Sequence, residues 1–120
     1  NASPMSMEAA LSTLHELTVA KGKRAIAVLG DMLELGHVAV AAHRKVGCQA
    51  AKAGVTCVIT LGEMGREIAA GAEEAGVNQV FACATHHQAA DKLKALLEPG
   101  DTVLFKGSRG MAMEKIIDLI

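Results

Sequence analysis

Four short, mainly apolar runs punctuate the chain, at residues 25–29, 55–61, 80–84 and 102–105. Continuous rather than alternating hydrophobicity is the mark of a strand covered on both faces. Between the runs lie Ala-rich stretches with helical spacing, at residues 39–53, 64–75 and 88–97, stopped by Gly54, by Gly76 and by Pro99-Gly100. Residues 111–119 predict a closing helix. At the other end Ser3 reads as an N-cap and Pro4 as the first helical position. Met7, Ala10, Leu11 and Leu14 then recur on one helical face, and Lys21-Gly22 closes that helix. The strands recur about every 22 to 30 residues, the spacing of βαβ units rather than of hairpins. The fold class predicted is α/β and Rossmann-like: a small, mostly parallel sheet with helices on both faces and a leading N-terminal helix.

At 120 residues this is one domain, residues 1–120. A formal net charge of -1 gives no electrostatic footprint for nucleic acid. With two Phe and no Tyr or Trp, aromatic stacking on bases or sugars is not expected as a binding mode. No apolar stretch approaches the roughly 20 residues of a membrane span, and no signal-peptide pattern is present. Beginning on Asn1-Ala2-Ser3-Pro4 without an initiator Met, the chain reads as a piece of something longer. Cys48, Cys57 and Cys83 fit no metal or disulfide spacing; Cys57 and Cys83 fall in strand runs and read as core thiols of a reducing cytosol. No His-Glu-x-x-His pattern occurs among the five histidines, so no metal site is expected.

The chemistry-bearing segments sit where apolar runs stop, the edge at which open parallel sheets bind ligands. Lys106-Gly107-Ser108-Arg109 ends the last strand; with Ser108 capping the final helix, two cations and helix-terminal amides would meet a carboxylate or phosphate. A solvated turn is the plain alternative. Residues 30–36, Gly-Asp-Met-Leu-Glu-Leu-Gly, form a loop carrying Asp31 and Glu34. Asp31 reads either as a partner for a ribose, an ammonium group or a helix N-terminus, or as one of two solvated acids on a loop pinned by Leu33 and Leu35. His43 follows on a helix placed to brace that loop. A third strand-end turn, Gly62-Glu63 leading to Arg66, is placed to line the same pocket, while His86-His87 reads as solvent-facing. Neither Gly-x-x-x-x-Gly-Lys-[Ser/Thr] nor Gly-x-Gly-x-x-Gly occurs, so the chain carries no phosphate loop or dinucleotide fingerprint.

Three ordered segments carry a resemblance. Asn1-Ala2-Ser3-Pro4-Met5-Ser6-Met7 resembles an Asn-Ala-Asn-Pro-x-Ser-Met entry, with Ser3 in place of the second Asn. Residues 28–36 resemble a Gly-Asp-Met-x-Glu-Leu-Gly segment followed by His43 and Val46-Gly47, and Lys106-Gly107-Ser108-Arg109 with Met113-Glu114 resembles a closing Lys-Gly-Ser-Arg motif. Together they are similar to the C-terminal domain of the Mur ligase family, of the type that adds a dipeptide, over essentially the whole chain. The resemblance implies a bacterial cytoplasmic ATP-dependent amide ligase of peptidoglycan synthesis. Its substrates would be a UDP-N-acetylmuramoyl-tripeptide and D-alanyl-D-alanine, and its ATP and Mg2+ would be held mainly by domains outside this chain. It further implies no catalytic residue within the chain, Lys106, Ser108, Arg109, Gly62 and Glu63 on the substrate side, and Asn1 and Asp31 near the nucleotide. The rival classes are a free-standing phospho-acceptor (receiver-like) binding module using Asp31 and Lys106, and a dinucleotide-binding enzyme domain.

Overall fold

The computed structural model describes residues 2–120, so Asn1 lies outside the described residues. The elements in order are α1 (Pro4–Leu17), β1 (Ala25–Gly30), α2 (Ala39–Lys52), β2 (Cys57–Leu61), α3 (Gly65–Glu74), β3 (Gln79–Cys83), α4 (His86–Leu96), β4 (Thr102–Lys106) and α5 (Glu114–Ile117). Four parallel strands form one sheet in the order β3-β2-β1-β4. The chain moves outward from β1 to β3 and then returns to the free side of β1, so the topological switch lies between β1 and β4.

Alternation along the two inner strands assigns the layers. Ala25, Ala27 and Leu29 of β1 and Val58 of β2 pack with Met7, Leu11 and Leu14 of α1, Val46 and Ala50 of α2, and Ile68 and Ala72 of α3. Ile26, Val28, Cys57, Ile59 and Leu61 face the other way, onto Ala89, Ala90 and Leu93 of α4 and onto Met113 and Ile116. Every residue of β1 and β2 is buried, which is why both read as mainly apolar runs, with Thr60 the one buried hydroxyl of β2. On the first face α2 and α3 approach almost backbone to backbone. A Cβ at Gly47 would strike the Ile68 carbonyl and the Ala72 amide, and one at Gly71 would strike the Arg44 carbonyl.

Local chemistry starts and stops the elements largely as the sequence predicts. Ser3 caps α1 by accepting from the Ser6 amide at 3.1 Å, and the Ser6 hydroxyl returns the bond from the Ser3 amide, closing a capping box. That helix stops four residues short of Lys21-Gly22, because the buried Thr18 turns its hydroxyl back onto the Leu14 carbonyl at 2.6 Å. A 3-10 turn, Val19–Lys21, then ends on Gly22 in the left-handed region. The predicted closing helix is also broken. Residues Arg109–Met111 form a 3-10 turn, Ala112 sits at φ 48, and only Glu114–Ile117 is α-helical. At the edge away from the strand-end loops, Arg24 binds Asp101 through two nitrogens at 2.9 and 3.1 Å and reaches the Leu96 carbonyl at 3.2 Å.

Candidate functional site

The loop after β1 is the centre of the strand-end edge, and three hydrogen-bonded ties hold it. Asp31, 8% exposed, accepts the Gly65 amide on Oδ1 at 2.8 Å, so its carboxylate closes the first turn of α3. Met32, 2% exposed, donates its amide to His43 Nε2 at 2.9 Å. Leu33 donates its amide to Ser108 Oγ at 2.9 Å, while the Ser108 amide donates to the Asp31 carbonyl at 2.9 Å. The pin predicted at Leu33 is therefore Met32: Leu33 is 46% exposed and only Leu35 packs partly on the core. The reason is direction, since Met32 turns into the core beside β1 whereas the next residue points out.

Ser108 makes no side-chain cap on a helix, contrary to expectation; its hydroxyl is committed across the edge to Leu33. The segment after it folds back over the strand ends. A Cβ on Gly30 would lie 2.7 Å from Met113 Sδ and 3.4 Å from the Met111 side chain. Gly62, at φ 107, has no room for a Cβ either, between Asp31 Oδ1 and Met111 Cε. His86 donates from Nε2 to the Met111 carbonyl at 2.8 Å and so clamps this cover, rather than facing solvent as its position at a helix start suggests.

The cover fills the β1/β4 switch point and divides the edge. On one side Gly62, Glu63, Arg66, Cys83, Ala84 and Gln88 line a cleft of about 470 Å³. On the other, Lys106, Ser108, Arg109, Met113 and Glu114 line one of about 300 Å³. The predicted substrate-side residues thus fall into two clefts, with Lys106, Ser108 and Arg109 together and Gly62 and Glu63 apart from them. Asp31 lies between, lining neither. Neither of these two clefts brings Asp31 and Lys106 together, and no acid flanks Asp31 in the sequence, so neither cleft assembles the receiver-like arrangement. A dinucleotide would need the switch point that Met111 and Met113 occupy.

The sequence reading missed Gln88, whose Oε1 accepts the Ala84 amide at 2.8 Å, together with the cover formed by Met111 and His86. Burial pushes the Cys83 thiol up, with the Lys92 charge opposing. Burial pushes Cys57 up to about 11. The described residues bring no three of His, Cys, Asp and Glu together around a point where a metal ion could sit. Among them no helix is long and apolar enough to cross a membrane.

The structure is an α/β domain that presents two polar clefts at its strand-end edge, with Met111 and Met113 packed over the strand ends between them. The chain belongs to the Mur ligase family: the family model described as "Mur ligase, glutamate ligase domain" matches residues 1–109. Within the family the similarity is to the C-terminal domain of MurF ligases. A Bacillus subtilis relative named UDP-N-acetylmuramoyl-tripeptide--D-alanyl-D-alanine ligase is 40% identical over 124 residues, covering 100% of this chain and 26% of the relative. The Escherichia coli protein of the same name is 37% identical, covering 98% and 24%. The crystal structure of MurF from Acinetobacter baumannii superposes with a TM-score of 0.84 at 29% identity, over 99% of this chain and 26% of that one. MurF ligase from Thermotoga maritima in complex with ADP shares the fold, with a TM-score of 0.78 at 22% identity. The chain spans about a quarter of the length of the curated relatives it matches.

Proposed function

We propose that this chain is the closing domain of an ATP-dependent amide ligase of the bacterial cytoplasm. The ligase would join D-alanyl-D-alanine to a UDP-N-acetylmuramoyl-tripeptide in peptidoglycan synthesis. The observation that carries the reading is the match over 100% and 98% of the chain, at 40% and 37% identity, to ligases bearing that name. The family description mentions glutamate, so the incoming amine is assigned from the relatives' names and from the basic cleft.

In this reading Lys106 and Arg109 hold the carboxylate of the incoming dipeptide, and Ser108 holds the loop that aims them. Gly62 and Glu63, with Arg66, form the second contact surface of the closed enzyme. Asn1 is proposed on the nucleotide side. Asp31 contributes there as the post that sets the Gly62–Gly65 turn. Among the described residues the β1/β4 switch point is filled by Met111 and Met113 and no three His, Cys, Asp or Glu side chains converge as a cation site. In this reading, activation of the tripeptide carboxyl by ATP belongs to the remaining three-quarters of a relative-length protein.

The test is a chimera in which this chain replaces the matching quarter of the Bacillus subtilis relative. Phosphate release that requires D-alanyl-D-alanine supports the reading; a folded chimera that accepts glutamate instead overturns it. In the same chimera Arg109→Ala should raise the KM for the dipeptide by about tenfold or more, the scale of one charge-assisted hydrogen bond. A change confined to the KM for ATP would show that the loop is misplaced. ATP turnover by the 120-residue chain alone would contradict its role as a domain that only closes over the site.

A further inference from the structure

His43 is a fully buried imidazole whose two ring nitrogens are both committed, and both partners are main-chain groups of fixed polarity. The Ala39 carbonyl can only accept, so the 2.6 Å contact at Nδ1 requires a hydrogen there. The Met32 amide can only donate, so the 2.9 Å contact at Nε2 requires a bare lone pair. One neutral tautomer satisfies both, with the hydrogen on Nδ1. No other residue type places an acceptor and a donor at these two points on one rigid ring.

The consequence reaches beyond α2. Ala39 is the first residue of that helix, and its carbonyl is one turn behind the ring. His43 therefore hangs the strand-end loop from the helix start through the Met32 amide. Leu33 is next along and holds Ser108 Oγ; Asp31 precedes and holds both the Ser108 amide and the Gly65 amide. The three successive residues thus reach α2, the basic cleft of Lys106 and Arg109, and the Gly62–Arg66 cleft. We propose that His43, locked as the Nδ1–H tautomer, is the positioning residue that sets this loop and through it the registry of the two clefts. The assignment deepens the functional reading above by naming what orients its basic cleft, but its evidence is internal to the chain and does not require a ligase.

Nuclear magnetic resonance on the 120-residue protein tests it, the sheet being covered on both faces by the chain's own helices. A long-range proton–nitrogen spectrum should show His43 with hydrogen on Nδ1 and a bare Nε2. His43→Gln can still present an oxygen near the Nε2 position to Met32; His43→Asn reaches only toward Ala39, and His43→Leu reaches neither. Amide exchange at Met32 should be about tenfold faster in H43N and H43L than in the wild type, and within about threefold in H43Q. The Leu33 and Ser108 amide signals should shift in the same order. An Nε2–H tautomer, or an H43N protein whose Met32, Leu33 and Ser108 amides match the wild type, would overturn the assignment. If both truncating variants fail to fold, the tautomer of the wild type and the H43Q exchange rate still decide. Failure of the D-alanyl-D-alanine assay with these signatures intact would strike the ligase reading alone.

Discussion

Gly47→Ala reverses the usual sign of a helix substitution. In an open helix interior this change stabilises by about 1 kcal/mol, because Ala has the better propensity. At Gly47 the new methyl would meet the Ile68 carbonyl and the Ala72 amide of α3 at well under contact distance, and both are main-chain atoms that cannot rotate away. Ordinary van der Waals separation is 3.4–4 Å, so α2 and α3 must part by more than about 1 Å. Val46 and Ala50 on one helix and Ile68 and Ala72 on the other are all buried, and a gap of that size forfeits a quarter to a half of each dispersion contact. Overpacking of roughly 3 kcal/mol or more, plus those contacts and less the propensity gain, leaves a net loss of about 2–4 kcal/mol. A domain of this size should then melt roughly 10–15 °C lower while staying folded at room temperature. Thermal and urea unfolding followed by far-ultraviolet circular dichroism read the effect. Gly71→Ala, which meets the Arg44 carbonyl from the other side, should cost about as much. The double variant should cost less than the sum, since either methyl already separates the same pair. Gly76→Ala is the control: nothing lies within 4 Å, and only its φ of 96° opposes the change. A melting point for Gly47→Ala at or above that of the wild type would refute the argument.

Three further outcomes follow from single buried groups. Thr60 Oγ1 is buried with no hydrogen-bond partner among the described residues, so Thr60→Val should stabilise by about 1 kcal/mol in urea unfolding; a loss would mean that the hydroxyl is satisfied. Burial alone would raise the Asp101 carboxyl, but the Arg24 hydrogen bond, the Glu98 amide and the Arg24 charge outweigh it and hold the group below its ordinary value. Its contribution is therefore present above about pH 4 and lost as pH falls through the lower folded value, so Asp101→Asn should flatten the acid limb of the urea midpoint below about pH 4. A limb parallel to the wild type would remove Asp101 from the account. With its thiol pushed up to about 11, Cys57 should resist a disulfide reagent at pH 8 until the protein unfolds, whereas the half-buried Cys48 reacts first; equal labelling by mass spectrometry would contradict this.

The strands and most helix limits were legible because their causes are local: apolar runs, a serine cap, glycines past helix ends. The loop of residues 30–36 was legible as a special feature because it is too long and too charged for a tight turn, and His43 was legible as its brace. What stayed hidden depends on partners distant in sequence. Ser108 looks like a helix cap until the Leu33 amide, 75 positions away, claims its hydroxyl. Residues 111–119 carry a helical pattern, yet the strand ends at Gly30 and Gly62 draw Met111 and Met113 over them and bend the segment at Ala112. Gly47 and Gly71 carry no periodic signal at all, since what they provide is missing volume. The division of the ligand edge into two clefts follows from that same cover, which no motif announces.

The order of the strands also bears on how the chain is made. β1 is the hub of the sheet, but Thr102, the residue that pairs beside Ala25, lies 77 positions later. On a ribosome delivering about 5–20 residues per second, one flank of β1 therefore waits about 4 to 15 s for its neighbour. Throughout that interval a wholly apolar strand has an open edge, the condition under which nascent chains pair wrongly with one another. Arg24 and Asp101 stand immediately before the two strands, so their bidentate contact can form as soon as β4 emerges and seat it against β1 from the first residue.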